Sequence, residues 1–152
     1  MVTMKLRTLL AGALLALSVA AVAGEKWLTS WDEAAKLSKK TGKPILADFT
    51  GSDWCGWCIK LKKEVFDTPA FDKWAKDNVI LLELDYPNAK PQSDAIKKQN
   101  ATLAKKYSIE GYPTILFLDA SGKVLGKSGY LEGGPAAWTK NAEGLLKKKT
   151  KK

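Results

Sequence analysis

Three short apolar runs, residues 45–49, 79–84 and 114–118, are kept apart by segments patterned as helices. The first is preceded by Gly42 and Pro44 and followed by Gly51, and its length suits a buried strand. Strands separated by helices are joined by crossovers and lie parallel. After the third run, Ala120-Ser121-Gly122-Lys123 turns the chain into a fourth strand over 124–127, an antiparallel edge. The run 79–84 is nearly all apolar and reads as a central strand.

Helix signals fill the gaps. Ser30 and Glu33 form a capping box, and that helix stops near Thr41-Gly42-Lys43-Pro44. A second helix is predicted from about Cys55 to Phe66, and Asp67-Thr68-Pro69 opens a third. A fourth covers 93–107 with Ile96, Leu103 and Tyr107 inward, and a last one starts near Pro135. The order predicts a single α/β domain with a mixed central sheet flanked by helices.

Residues 1–23 are set apart from that fold. Lys5 and Arg7 precede an apolar run from Leu9, which ends in Ala21-Val22-Ala23. A charged start, a short apolar core and small residues at the end describe a secretory leader, with cleavage expected after Ala23. The expected divisions are a leader over 1–23, a domain over 24–146 and a basic tail over 147–152. Such a protein is periplasmic or secreted, without stable membrane insertion, in a compartment that tolerates disulfides. The net charge is +9, and much of the excess lies in the tail. That tail reads first as a solvated terminus and second as an electrostatic tether. Export and the lack of a binding motif argue against nucleic acid. No segment is patterned for dimerisation, so a monomer is expected.

The chemistry concentrates in Trp54-Cys55-Gly56-Trp57-Cys58, which holds both cysteines of a chain without histidine. At a helix start, one thiolate can attack a foreign disulfide and the second thiol can resolve the mixed disulfide. Cys55 is the expected nucleophile, because unpaired N–H groups and the helix dipole favour its thiolate. Cys58, one turn inside, is expected to be more buried and to resolve. Lys60, Lys62 and Lys63 read first as the exposed face of that helix and second as added positive potential beside the cysteines. Two cysteines and no histidine fall short of a zinc set, and Ile59 stands where haem attachment needs histidine, so no metal is expected.

These residues resemble the thioredoxin-like family, and the resemblance spans nearly all of the chain after the leader. Leu46-Ala47-Asp48-Phe49 leading into the Cys-x-x-Cys is similar to the family's strand and redox loop. Residues 79–85 resemble its next central strand. Gly111-Tyr112-Pro113-Thr114 resembles its cis-proline loop. The longer loop before Cys55 resembles the exported bacterial branch. The resemblance implies a three-layer fold and thiol–disulfide exchange with protein substrates, without a cofactor beyond the Cys55–Cys58 pair. It implies a separate redox partner protein that recharges the pair. Aromatics at a redox loop suit an extended polypeptide, so Trp54, Gly56, Trp57 and Tyr112 read as a substrate surface, with Trp54 equally readable as core packing, and the resemblance adds Pro113.

Two departures stand out. Asp48 lies seven residues before Cys55, where thioredoxin's buried aspartate lies six before, so Asp48 is either a proton relay or an ordinary strand residue. Leu81 occupies the position of thioredoxin's nearby lysine. Gly56-Trp57 offers no imidazolium, so a less oxidising couple than a histidine-bearing one is expected. The alternative is a binding protein of the same fold whose disulfide is only structural.

Overall fold

The computed structural model describes residues 26–148. The expected leader, and residues 149–152 of the expected tail, lie outside the described residues. Among the described residues no helix is long and apolar enough to cross a membrane.

The chain runs α1 (Trp31–Thr41), β1 (Ile45–Thr50), α2 (Gly56–Leu61), α3 (Pro69–Asn78), β2 (Ile80–Asp85), α4 (Asp94–Lys106), β3 (Thr114–Leu118), β4 (Val124–Ser128) and α5 (Gly134–Lys147). The caps follow the sequence signals. The Ser30 side chain accepts from the Glu33 N–H, and Thr68 accepts from Phe71 with Pro69 in the first turn. Gly42 ends α1 at φ 76°, a left-handed conformation suited to a residue without Cβ. Past α2 the helix widens into a π-helical turn, Lys62–Phe66, in which the Asp67 N–H reaches back to the Lys62 carbonyl. The adjacent Val65 and Phe66 are both buried there.

The sheet order is β2-β1-β3-β4. β1 and β2 are parallel, with Asp48 opposite Glu83, but β1 and β3 are antiparallel, with Phe49 opposite Thr114, against the parallel pairing expected of a strand that follows a helix. The strand read as central, β2, therefore stands at the edge. Its apolar character has another cause. Helices cover its faces, and Leu28 covers its outer edge, donating to the Leu81 carbonyl and accepting from the Glu83 N–H.

The sheet carries a helical layer on each side. Leu46, Leu81, Ile115 and Phe117 pack with Leu61, Phe71, Ala75 and the fully buried Trp138 of α2, α3 and α5. Ile45, Ala47, Phe49 and Leu82 pack with Ala34 of α1 and Leu103 of α4. All six residues of β1 are buried, so whatever follows β1 leaves a rigid base.

Candidate active site

β1 ends at Thr50, and the chain leaves the sheet through a tight loop. The N–H groups of Trp54 and Cys55 both donate to the Gly51 carbonyl. Gly51 has no room for a side chain, since a Cβ would lie 2.4 Å from the Trp54 ring. Asp53 clasps this loop to the segment after β2, accepting from the N–H groups of Asn88, Ala89 and Lys90. Those bonds hold its carboxyl below the usual range. Ser52 is tied to Asp85 by its N–H and its hydroxyl.

Cys55 then caps α2, its Sγ accepting from the Cys58 N–H at 3.2 Å. The two cysteines are joined as a disulfide, with Cα atoms 5.2 Å apart. They are nearly equally buried, at 6% and 4% exposure, so the expected contrast between them is slight. Trp54 and Trp57 stand out beside them at 45% and 57% exposure, neither in the core. Trp54 is fixed at three points: its indole N–H donates to the Tyr86 carbonyl, its ring meets Tyr112 edge-on, and it lies over Gly51. Tyr112 also packs on Tyr86 and precedes a cis peptide bond to Pro113. Because Thr114 pairs with Phe49, Pro113 sits at the end of β1 from which the redox loop departs. Gly56 is exposed at the first position of α2.

Beneath α2 lies a cavity of about 490 Å³ lined by Cys58, Asp48, Glu83 and Lys62. Asp48 is buried, and its Oδ1 has no hydrogen-bond partner among the described residues. Burial, and then Glu83 opposite it, push its carboxyl up to about 8 against the pull of Lys62. Glu83 is raised for the same reasons, burial first and then Asp85. Lys62 is exposed, as the helix-face reading has it, donates to Asp67 at 2.8 Å and also lines this cavity.

Three participants are brought to the site by tertiary placement. Glu83 reaches Asp48 only through strand register, and Lys62 reaches it only through the turn of the helix. The third is Tyr130, distant in sequence, whose ring lies 5.0 Å from that of Trp57 and whose hydroxyl donates to Glu64. Lys60 sits over both rings, at 5.1 and 5.0 Å.

A four-stranded mixed sheet, a disulfide at the start of the helix after β1 and a cis-proline loop beside it define a class of redox protein. The chain belongs to the thioredoxin-like family, whose domain profile matches residues 31–140. It is 36% identical over 127 residues to the disulfide bond reductase DsbH of Chlamydia pneumoniae, across 84% of this chain and 76% of that protein. The solved DsbH oxidoreductase matches with a TM-score of 0.79 at 34% identity, covering 90% of this chain and 94% of the other. A segment of the thiol:disulfide interchange protein DsbD of Photorhabdus laumondii is 33% identical over 97 residues; these are 63% of this chain but 15% of DsbD.

Proposed function

We propose that this thiol–disulfide oxidoreductase works as a reductant of protein disulfides in an exported compartment, recharged by a separate redox protein. The observation that carries the reading is the Cys55–Cys58 disulfide capping α2 with a buried, proton-holding carboxyl in the cavity behind Cys58. The likeness to a protein named as a disulfide bond reductase favours the reducing direction.

In the reduced protein the Cys55 thiolate attacks a substrate disulfide. One substrate sulfur leaves as a thiolate, and a mixed disulfide forms. Asp48, when ionised, takes the proton of the Cys58 thiol through the cavity. The Cys58 thiolate then attacks Cys55 Sγ, closes the internal disulfide and releases the second substrate sulfur. Asp48 now holds the proton. When a partner's thiolate attacks Cys55 Sγ, Cys58 leaves and recovers that proton from Asp48. The partner's second thiol completes the exchange and carries away the two oxidising equivalents. Trp54, Trp57 and Tyr112 form an aromatic collar suited to an extended polypeptide, with Pro113 next to Tyr112.

The test is the equilibrium of the Cys55/Cys58 pair with a thiol buffer of known potential. A value near about −270 mV is expected, and one near about −120 mV would make the protein an oxidant. Cys58→Ser should accumulate mixed disulfides on Cys55. A structural disulfide would give neither a potential in this range nor a trapped partner.

A further inference from the structure

The redox loop occupies the pole of the sheet where β1 and β2 finish. The opposite pole, where they begin, takes no part in the chemistry above. Four helices end there. α1 runs into Gly42 just before β1, and α3 stops just before β2. The hydroxyl of Tyr107, the residue after α4, donates to the Gly122 carbonyl in the β3–β4 turn. Leu146 near the end of α5 shares a cavity with Pro44, Asn78 and Asp119.

Every one of these helices carries lysine in its last turn: Lys39 and Lys40, then Lys76, then Lys105 and Lys106, then Lys147. Lys43, Lys123 and Lys148 in the adjoining turns raise the number to nine. The acids at this pole are Asp77, Asp119 and Glu143. Asp119 is engaged by the N–H groups of Ser121 and Lys123, and Glu143 lies 3.9 Å from Lys147. Over the rest of the described residues eleven lysines face twelve acids, so the excess charge is concentrated at this one pole. Helix dipoles account for part of it. Each C-terminus carries about half a negative charge, so four ends offset about two of the nine lysines.

The middle of the pole is apolar. The cavity there, about 550 Å³, has Pro44, Ala120, Leu125 and Leu146 as its apolar lining, with Lys39, Lys43, Ser38, Asn78 and Asp119 also on its wall. In sequence, Lys148 is followed by Lys149-Thr150-Lys151-Lys152, three more lysines. A shallow apolar centre ringed by lysines suits a headgroup surface: the aliphatic stems cover apolar area while the ammonium groups meet phosphates. An acidic polypeptide would meet the same lysines, but it offers the apolar centre no acyl boundary to lie against. We propose that this lysine-rich pole docks the protein on an anionic phospholipid surface, with Cys55 directed away from the bilayer.

The test is co-sedimentation with phosphatidylcholine vesicles made with and without phosphatidylglycerol, at low and high salt. It uses the chain without residues 1–23, since an apolar leader binds bilayers by itself and the fold, caps and core all lie within 26–148. Two double variants on α4 carry the same charge change at opposite ends. Lys105→Glu with Lys106→Glu should weaken binding at least about tenfold, and Lys97→Glu with Lys98→Glu less than about threefold. Should the first pair impair folding, Lys105→Gln with Lys106→Gln and Lys39→Gln with Lys40→Gln give the same comparison with a smaller drop. Absence of binding to the phosphatidylglycerol vesicles at low salt overturns the proposal. So does equal binding to pure phosphatidylcholine, or an equal loss from both α4 pairs. Binding to polyglutamate as tight as to the vesicles would assign the pole to acidic polypeptide and overturn it as well.

Discussion

Strand β1 is buried along its whole length, yet its two faces differ in kind. Toward α1 and α4 it presents Ile45, Ala47 and Phe49, which pack among Ile80, Leu82, Leu84, Leu116 and Leu118. Toward α2 it presents Leu46 and then Asp48 and Thr50, which open onto a cavity shared with Glu83, Lys62 and Cys58. One face is a dry core and the other ends in a carboxyl without a hydrogen-bond partner on Oδ1. Burying such a group costs stability that an apolar residue would not. That cost falls beside the chain's only two cysteines, where the proposed exchange moves a proton.

The comparison can be broken by variants that act on one face alone. The largest effect is expected from Cys55→Ser, which should reduce disulfide exchange to background while leaving the stability of the reduced protein, by urea titration, within about 1 kcal/mol. Phe49→Ala, on the dry face, should cost about 3–5 kcal/mol by denaturant titration. Its exchange rate per folded molecule, and the pH dependence of that rate, should stay as they were. A change in that pH profile would mean that the two faces are not independent.

Asp48→Asn should do the reverse. The folded carboxyl keeps its proton up to about 8, whereas an unfolded one releases it near its ordinary value. The folded state therefore binds more protons between those values, and stability falls as pH rises from about 4 to about 8. Urea titrations at pH 5 and pH 8 should show a loss on the order of 1–3 kcal/mol in the native protein and a smaller one in Asp48→Asn, where Glu83, also raised by burial, still titrates. The variant should also resolve mixed disulfides about tenfold more slowly at pH 8, where the native carboxyl is half ionised. The smallest effect is expected from Trp57→Ala, a rise of about threefold in KM for a peptide disulfide with kcat nearly unchanged, because its ring is exposed and touches neither face of β1.

Much of this architecture is legible in the amino-acid sequence. The caps at Ser30 and Thr68, the strand over 114–118 and the redox loop rest on local patterns, and local patterns survive folding. The placement of β2 is not legible in the same way. An apolar run marks a strand covered on both faces, and it cannot distinguish a sheet neighbour on the outer side from a single residue such as Leu28 lying against it. Asp48 can be singled out by its place before the cysteines, but its environment cannot. That depends on a register that sets Glu83 opposite it and on a helix that turns Lys62 toward both. Tyr130 carries no signal at all, because its contact with Trp57 joins two segments far apart in the chain.

The two hydrogen bonds that Leu28 makes to β2 have a consequence for association. Ile80-Leu81-Leu82-Glu83-Leu84-Asp85 is a six-residue, largely apolar strand, and a bare edge of that kind is a template for another chain. By occupying the middle of that edge, the few residues ahead of α1 act as a stopper against edge-to-edge growth. Proteolytic trimming through Leu28 would leave both cysteines, their loop and the carboxyl pair in place. It would also give each molecule a free margin that a second copy could extend, at the same edge where Leu28 holds the Glu83 N–H.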